Sequence, residues 1–544
     1  MNISWRKTMT ITPGQDSIIP DAGLKLKRRD VLASALALGS MPLAAKAKAM
    51  LVNPARQEDD VLDTLVVGSG VAGCYAAWRL SSADPSSRIG VFERSDRIGG
   101  RLWSVQPSGH AEQVAELGGM RIASTQLPLV NLVDEFGLTT TSYPATLDED
   151  IYYMRGDRCR ASELTASPRY GYKVRKDLVG KSMVDLFNIV LKTVTGKTDW
   201  TREEIDSTYR TVTYKGINLH DLPRMWVFQD VLGHSAATML IDAIGYGFPN
   251  NNAGVFIAEV ILDLFIKEYG HVDGGYQRIP LTMADMARSN GVDFAFKHEM
   301  CDLEQEGDLS VVTFRTPDGQ RRRIKARNVI LTIPMSAYDK LPDTCALRDQ
   351  NTLRTLSDNL LRVPATKIYV NFPHQWWKQL GIGYGRSITD LPLRQCFYLA
   401  DSSGRGLTLS PYVSGFEESG FWSPLLLRDR NHMGGESMAA RTIVQQLRQM
   451  HGVDVPDATE IHYRVFDGGY EGFGWNMWQP GARPWLLAPA ARRPIPGRRV
   501  FCTGQATAQV QGWVMDTISS IESVLRSEFR LQRPAWWPAS YPAT

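Results

Sequence analysis

Residues 61–93 constrain this chain more than any other stretch. Val61 to Val67 is an apolar and β-branched run interrupted only at Asp63, the pattern of a strand buried on both faces of a parallel sheet. It runs directly into Gly68-Ser69-Gly70-Val71-Ala72-Gly73. Val71 to Leu80 reads as a helix, Arg88 to Glu93 as a second strand, and Glu93 falls 20 residues beyond Gly73. This order predicts a βαβ dinucleotide site, in which Gly68 makes the tight turn, Gly70 lets a pyrophosphate approach, and Gly73 lets helix and strand pack. Val71 and Ala72 open a helix whose N-terminus faces the phosphates. Glu93 can accept hydrogen bonds from ribose hydroxyls and would repel a 2′-phosphate. A glycine-rich turn that binds nothing is the competing reading, and the spacing does not separate a nicotinamide from a flavin dinucleotide.

The rest of the composition narrows the partners. A length of 544 residues fits two to four domains. The formal net charge of +3 is too slight to argue for nucleic acid, and the body of the chain has no basic run with interleaved aromatics. Cys74, Cys159, Cys301, Cys345, Cys396 and Cys502 lie far apart, with no CxxC and no Cys/His spacing suited to zinc. Buried, mostly free thiols and no metal are expected. Dimers are common by base rate, so a homodimer is the default oligomeric expectation.

The basic excess sits at the start. Residues 1–49 carry eight lysines and arginines against three aspartates, so the remainder is slightly acidic. Arg28 and Arg29 precede a mostly apolar stretch, Val31 to Ala45, too short for the roughly 20 residues of helix that span a bilayer. Small residues at Ala45, Ala47 and Ala49 complete the pattern of a cleavable export signal of the twin-arginine type. The expected partner is the twin-arginine export machinery, and the expected location is periplasmic or secreted. A frayed amphipathic N-terminus is the alternative. No other segment approaches transmembrane length, so no stable membrane anchor is expected.

Beyond the βαβ unit the pattern changes twice. From about Leu127 to Phe265 it is largely helical, with apolar residues at helical spacing between Lys176 and Thr195. Leu309–Thr316, Gln320–Ala326 and Asn328–Ile333 read as short strands around a Pro317-Asp318-Gly319 turn. Thr366–Phe372 and Gln395–Leu399 are strand-like, and Arg499–Cys502 is a last strand before Gly504 and a helix from Trp513 to about Phe529. The predicted fold class is α/β: a split Rossmann-like dinucleotide domain (59–126, 266–350 and 486–535), a helical insertion (127–265) and a mixed α+β substrate domain (351–485).

Arg97-Ile98-Gly99-Gly100-Arg101, and Phe501-Cys502-Thr503-Gly504-Gln505 with Gly512-Trp513, resemble the two ends of the flavin amine oxidase family. The resemblance implies FAD, held by Gly68, Gly70, Val71, Ala72, Gly73, Glu93, Arg94, Gly99, Gly100, Arg101, Gly118, Gly119, Met120, Gly504, Gln505, Trp513 and Val514. Arg101 offers a fork of donors suited to phosphate. Gln505 stands where the family usually has Glu, so a contact on the ribityl side loses its charge. No cysteine occupies the setting used by covalently flavinylated monoamine oxidases, which implies non-covalent FAD.

Glu116-Leu117-Gly118-Gly119-Met120-Arg121 resembles the L-amino-acid oxidase group, whose arginine grips the substrate carboxylate with two parallel hydrogen bonds. An arginine capping a loop is the alternative. The stretch Arg386 to Leu399 resembles the segment whose tyrosine also binds that carboxylate, placing Tyr398 there. A core tyrosine with a satisfied hydroxyl is the alternative. Lys367 matches the lysine that family enzymes hold near flavin N5 through a water, against the alternative of an outward strand lysine. Gly512 and Trp513 match the wall around the substrate amine, and Trp475 either lines the same cavity or packs the core.

The resemblance implies oxidative deamination of an L-amino acid, with hydride passing to flavin N5 and dioxygen giving hydrogen peroxide beside the 2-oxo acid and ammonia. Amine or polyamine oxidation, and amino-acid 2-monooxygenation, are the rival readings. Aromatic residues around Trp475 and Trp478 favour an apolar or aromatic substrate side chain.

Overall fold

The computed structural model describes residues 61–539 and 541, apart from 145–146, 202–203, 206–208, 248–249, 265–267, 401 and 429–433. The predicted export leader, 1–49, lies outside these residues.

Strand β1, Leu62–Val67, is buried at every position but Asp63. Helix α1, Val71–Ala83, follows it after the glycine turn, and its small residues Ala72, Gly73, Ala76 and Ala77 lie against the sheet and neighbouring helices. Strand β2, Ile89–Phe92, pairs in parallel with β1, and Asp293–Ala295 extends the sheet beyond it. On the other side of β1 run Arg321–Leu331 and then Val500–Cys502, also parallel. One parallel sheet is thus assembled from widely separated stretches of chain, the split Rossmann-like arrangement expected from sequence. The carboxyl ends of these strands coincide, so Gly68, Glu93, Thr332 and Gly504 emerge together where open α/β sheets bind ligands.

Arg321–Leu331 is one continuous strand rather than the two short ones expected. Its first half pairs antiparallel with Leu309–Arg315, and its second half lies in the parallel sheet. The polar residues that looked like a break have partners along the edge of β1: Arg327 forms an ion pair with Asp63, and Asn328 donates to the Asp63 carbonyl.

A second, seven-stranded sheet runs in the order Glu460–Phe466, Ala365–Phe372, Gly406–Ser414, Gln395–Ala400, Gly385–Thr389, Ile151–Met154 and Asp157–Arg160. The last two strands come from the stretch expected to be largely helical, and they join through the pair Ile388↔Tyr152. Ile368, Val370, Cys396 and Tyr398 face a core shared with helix Met438–His451. Tyr369, Phe397, Leu399 and Leu409 face the opposite way, onto Ala115, Leu117 and Met120. This alternation follows from the two-residue period of a strand and decides which side chains reach the site.

The 127–265 stretch is otherwise mainly helical. Met183–Thr195 carries its apolar stripe inward and starts at a Ser182/Asp185 capping box. Glu268–Val272 is expected in the dinucleotide domain but pairs with Ile122–Ala123 on one side and Thr140–Pro144 on the other. Among the described residues no helix is long and apolar enough to cross a membrane, no cluster of His, Cys, Asp or Glu is suited to a metal, and the six cysteines are free.

Candidate active site

The crevice at the strand ends opens into a cavity of about 650 Å³, a volume in the range of cofactor sites. Gly68, Gly70, Val71, Ala72, Glu93, Arg94, Gly99, Gly100, Arg101, Gly119, Gly504, Gln505, Gly512, Trp513 and Val514 line it. Three expected cofactor residues do not. A Cβ on Gly73 would lie 1.9 Å from the Gly68 carbonyl oxygen, so that glycine serves helix–strand packing. A Cβ on Gly118 would lie 1.8 Å from the Arg101 carbonyl oxygen. Met120 is buried among Leu117, Tyr369 and Phe397.

The two glycine loops meet at Gly70 and Gly99, which form an isolated bridge. A Cβ on Gly100 would approach the Gly70 Cα to 3.1 Å, so side chains here would close the cradle. Glu93 is held by the Ser69 and Ser95 backbone amides, which donate to its carboxylate at 2.8 and 2.7 Å. Arg94, Arg97, Arg101, Arg315, Arg321 and Lys340 outnumber Glu93, Glu299 and Glu471 around the cavity. This charge balance suits a diphosphate. A glycine-lined, cationic cleft that contains a carboxylate held by backbone amides and the start of helix α1 fits FAD. Arg101 does not lie free for phosphate: its Nη1 donates to Gln505 Oε1 at 2.9 Å and to the Phe473 and Gly474 carbonyls. Asn476 donates to the same Gln505 oxygen, so this glutamine ties the first loop to the closing motif.

From Arg101 the chain folds back on itself through the pairs Ser104↔Glu116 and Val105↔Ala115. That turn delivers Arg121 to a ring of aromatic side chains. Its guanidinium carbon stands 4.1 Å above the Tyr269 ring, 5.8 Å from Trp513 and 6.0 Å from Phe397. Its Nη2 donates to the Tyr246 hydroxyl at 3.5 Å. Burial works against its charge, yet the surrounding tyrosine oxygens hold its pKa above the ordinary arginine value. Part of its surface stays accessible, and no carboxylate pairs with it among the described residues. Tyr269 stacks on Trp513 at 6.2 Å, and Trp475 meets Tyr246 and Tyr412 edge-on at 6.1 and 6.4 Å. Trp475 and Trp513 therefore join Arg121 in one aromatic cluster, with Gly512 at positive φ just before Trp513.

Lys367 faces inward. Its Nζ donates to the Glu116 and Gly118 carbonyl oxygens at 3.0 and 2.6 Å and lies 4.6 Å from the Tyr412 ring centre. Burial pushes its pKa down to about 7 and that of the Glu116 carboxyl up to about 7. Glu116 is held by the Tyr276 amide and the Ser104 hydroxyl.

Tyr398 corrects the sequence expectation. Its hydroxyl bonds Ser387 Oγ at 2.6 Å and the His451 Nε2 in the helix-facing core. Its neighbour Phe397 occupies the Arg121 side, because successive strand residues point to opposite faces. Sequence reasoning also missed Tyr143, Tyr246, Tyr269, Tyr412 and Glu116. Only Tyr246 carried a local signal, the flanking Gly245 and Gly247, of which Gly245 sits at positive φ.

Together the fold and site define an α/β protein with a dinucleotide-type cleft and, beside Trp513, an aromatic cluster around a fixed cation. The model for flavin containing amine oxidoreductases matches residues 71–520, and the chain belongs to that family, which implies a flavin cofactor. An L-amino-acid oxidase of Sistrurus catenatus edwardsii is 23% identical over 477 residues, covering 84% of each chain. One from Echis ocellatus is 24% identical over 491 residues, covering 86% of this chain and 89% of its own. The fold is similar to cyclohexylamine oxidase from Brevibacterium oxydans IH-35A, with a TM-score of 0.63 at 16% identity over 85% of this chain and 98% of that one. A cofactor-binding redesign of putrescine oxidase gives a TM-score of 0.63 at 17% identity over 85% and 97%.

Proposed function

We propose that the protein oxidatively deaminates an L-amino acid, consuming water and dioxygen and giving the 2-oxo acid, ammonia and hydrogen peroxide. One observation carries this reading: Arg121 presents a guanidinium, walled by aromatic rings, to which no described residue brings a carboxylate. A substrate carboxylate supplies that charge with matching fork geometry, whereas a simple amine presents only a like charge. The L-amino-acid oxidases among the relatives support the same choice. Bound in its cleft, FAD supplies the two-electron acceptor.

The chain's own residues position and polarise. Arg121 fixes the carboxylate and with it the orientation of the substrate Cα, which lowers the entropic part of the barrier. Trp475, Trp513, Tyr269 and Tyr412 exclude water, and an apolar wall favours the neutral amine that the reaction needs. Burial lowers the Lys367 pKa below the ordinary lysine value, which makes a proton at Nζ easier to release.

The test is product analysis of the purified protein over the common L-amino acids. Equal amounts of 2-oxo acid, ammonia and peroxide are expected. An amide with carbon dioxide would instead indicate a monooxygenase, and aldehyde formation from amines alone would indicate an amine oxidase. The FAD is proposed to be non-covalent, so acid denaturation releases the yellow colour to the supernatant; colour left on the polypeptide contradicts it. Export by the twin-arginine route is proposed from Arg28 and Arg29. It is supported if the exported chain begins close after Ala45 to Ala49 and changing both arginines to lysine keeps the protein inside the cell.

A further inference from the structure

The reach of Arg121 ends in hydroxyls that do not come from the strand expected to provide one. That strand, Gln395–Ala400, turns Tyr398 away and presents Phe397, which has no hydroxyl, 6.0 Å from the guanidinium carbon. Two other tyrosines converge instead. Tyr246, just after helix His234–Ile244, has its hydroxyl 3.5 Å from Arg121 Nη2. Tyr143 lies directly opposite Tyr269 in the small sheet, with ring centres 5.9 Å apart, and Arg121 sits over that same Tyr269 ring.

The Tyr143 hydroxyl carries the argument. The residue is 8% exposed, and its oxygen makes no hydrogen bond of good geometry, its polar neighbours being the Arg121 guanidinium and the Tyr384 hydroxyl. A buried O–H without an acceptor costs about 1–3 kcal/mol, so a chain that retains one here points to an acceptor brought by a ligand. The Tyr384 hydroxyl beside it is itself held by His271 Nε2 at 3.2 Å. Burial raises the Tyr143 pKa to about 12, so the hydroxyl keeps its proton to donate. Arg121 can donate but cannot accept, so an anion placed between the two would take hydrogen bonds from both.

We propose that Tyr143 and Tyr246 complete the carboxylate site of Arg121, so that the substrate carboxylate meets one guanidinium and two phenols contributed from outside the large substrate sheet. This rests on the amino-acid reading above and names the residues through which this chain departs from the strand tyrosine. Tyr143, from 140–144, and Tyr246, from the helical segment, thereby become positioning and specificity residues.

The probe is benzoate, a carboxylate with no oxidisable amine, titrated into the FAD-loaded protein while the flavin spectrum is followed. Tyr143→Phe and Tyr246→Phe, both retaining FAD and the native Tm, are each expected to raise the benzoate Kd about tenfold or more, the loss of one hydrogen bond to a charged group. Tyr398→Phe is expected to leave that Kd unchanged. Unchanged binding in Tyr143→Phe and Tyr246→Phe beside weakened binding in Tyr398→Phe overturns the proposal while leaving the amino-acid reading intact. Benzoate that binds the unaltered protein and is insensitive to all three changes does the same. Failure of the unaltered protein both to bind benzoate and to turn over any amino acid overturns the reading itself and the proposal with it.

Discussion

Replacing Arg121 by methionine lowers kcat/KM for L-amino acids by about a thousandfold while the protein keeps its FAD. Methionine preserves much of the apolar stem and removes only the fork. Truncating one partner of a buried charge pair costs about 2–5 kcal/mol, and a thousandfold corresponds to about 4 kcal/mol. Much of that loss arises because the substrate carboxylate would still have to enter an aromatic pocket, now without a counter-charge. The fold should tolerate the change. Arg121 forms no ion pair with a described residue, and its contacts are ring faces and phenol oxygens. Tm should therefore stay within about 2–4 °C, the shift that roughly 1 kcal/mol produces in a domain of about 150–250 residues and more than it produces in a longer one. Steady-state kinetics, flavin absorbance and a melting curve on one preparation check all three. Undiminished kcat/KM would remove Arg121 from the reaction.

The second large effect separates two glycines three residues apart. Gly73→Ala is expected to cost about 3 kcal/mol or more of stability, because its methyl would sit 1.9 Å from the Gly68 carbonyl oxygen, and backbone cannot swing aside as a flexible side chain does. Helix α1 would lift from β1, and with it from a core that includes helix Val514–Glu528. Gly70→Ala meets nothing closer than the Gly100 Cα at 3.8 Å and has ordinary negative φ, so the apoprotein should keep its Tm. Its methyl instead occupies the approach of the pyrophosphate, and FAD affinity should fall about 10- to 100-fold. Melting of apoprotein and FAD titration resolve the two. Equal loss of FAD affinity with both melting curves unchanged would show that Gly73 is not a packing residue.

These two sites also show what a one-dimensional reading can reach. The dinucleotide cleft was legible because its requirements are local: a turn, a close approach and a helix start leave glycines at set spacing along one segment. Arg121 was legible for the same reason, since Gly118 and Gly119 mark where the chain folds against Arg101 and Leu102. The strand containing Tyr398 was legible, but its phase was not. A two-residue period says that 397 and 398 face opposite ways without saying which way is inward, and a slip of one exchanges the faces.

Tyr143 and Tyr246 lay further out of reach. They meet Arg121 only because Glu268–Val272 pairs with both Ile122–Ala123 and Thr140–Pro144, and because the helical segment folds over the second sheet. No spacing records such long-range pairings. The same holds for Ile151–Arg160, whose place is set by a parallel partner more than 200 residues away.

The carboxylate requirement is the centre of the account, and anaerobic reduction of the bound flavin by matched pairs tests it most directly. Each L-amino acid is compared with the amine made by removing its carboxyl group, at equal concentration, following loss of the flavin's visible absorbance. Bleaching is expected with at least one L-amino acid and, on the same timescale, with neither its amine partner nor its D-enantiomer. Bleaching by the amines as fast as by the amino acids, or by amines alone, would contradict it.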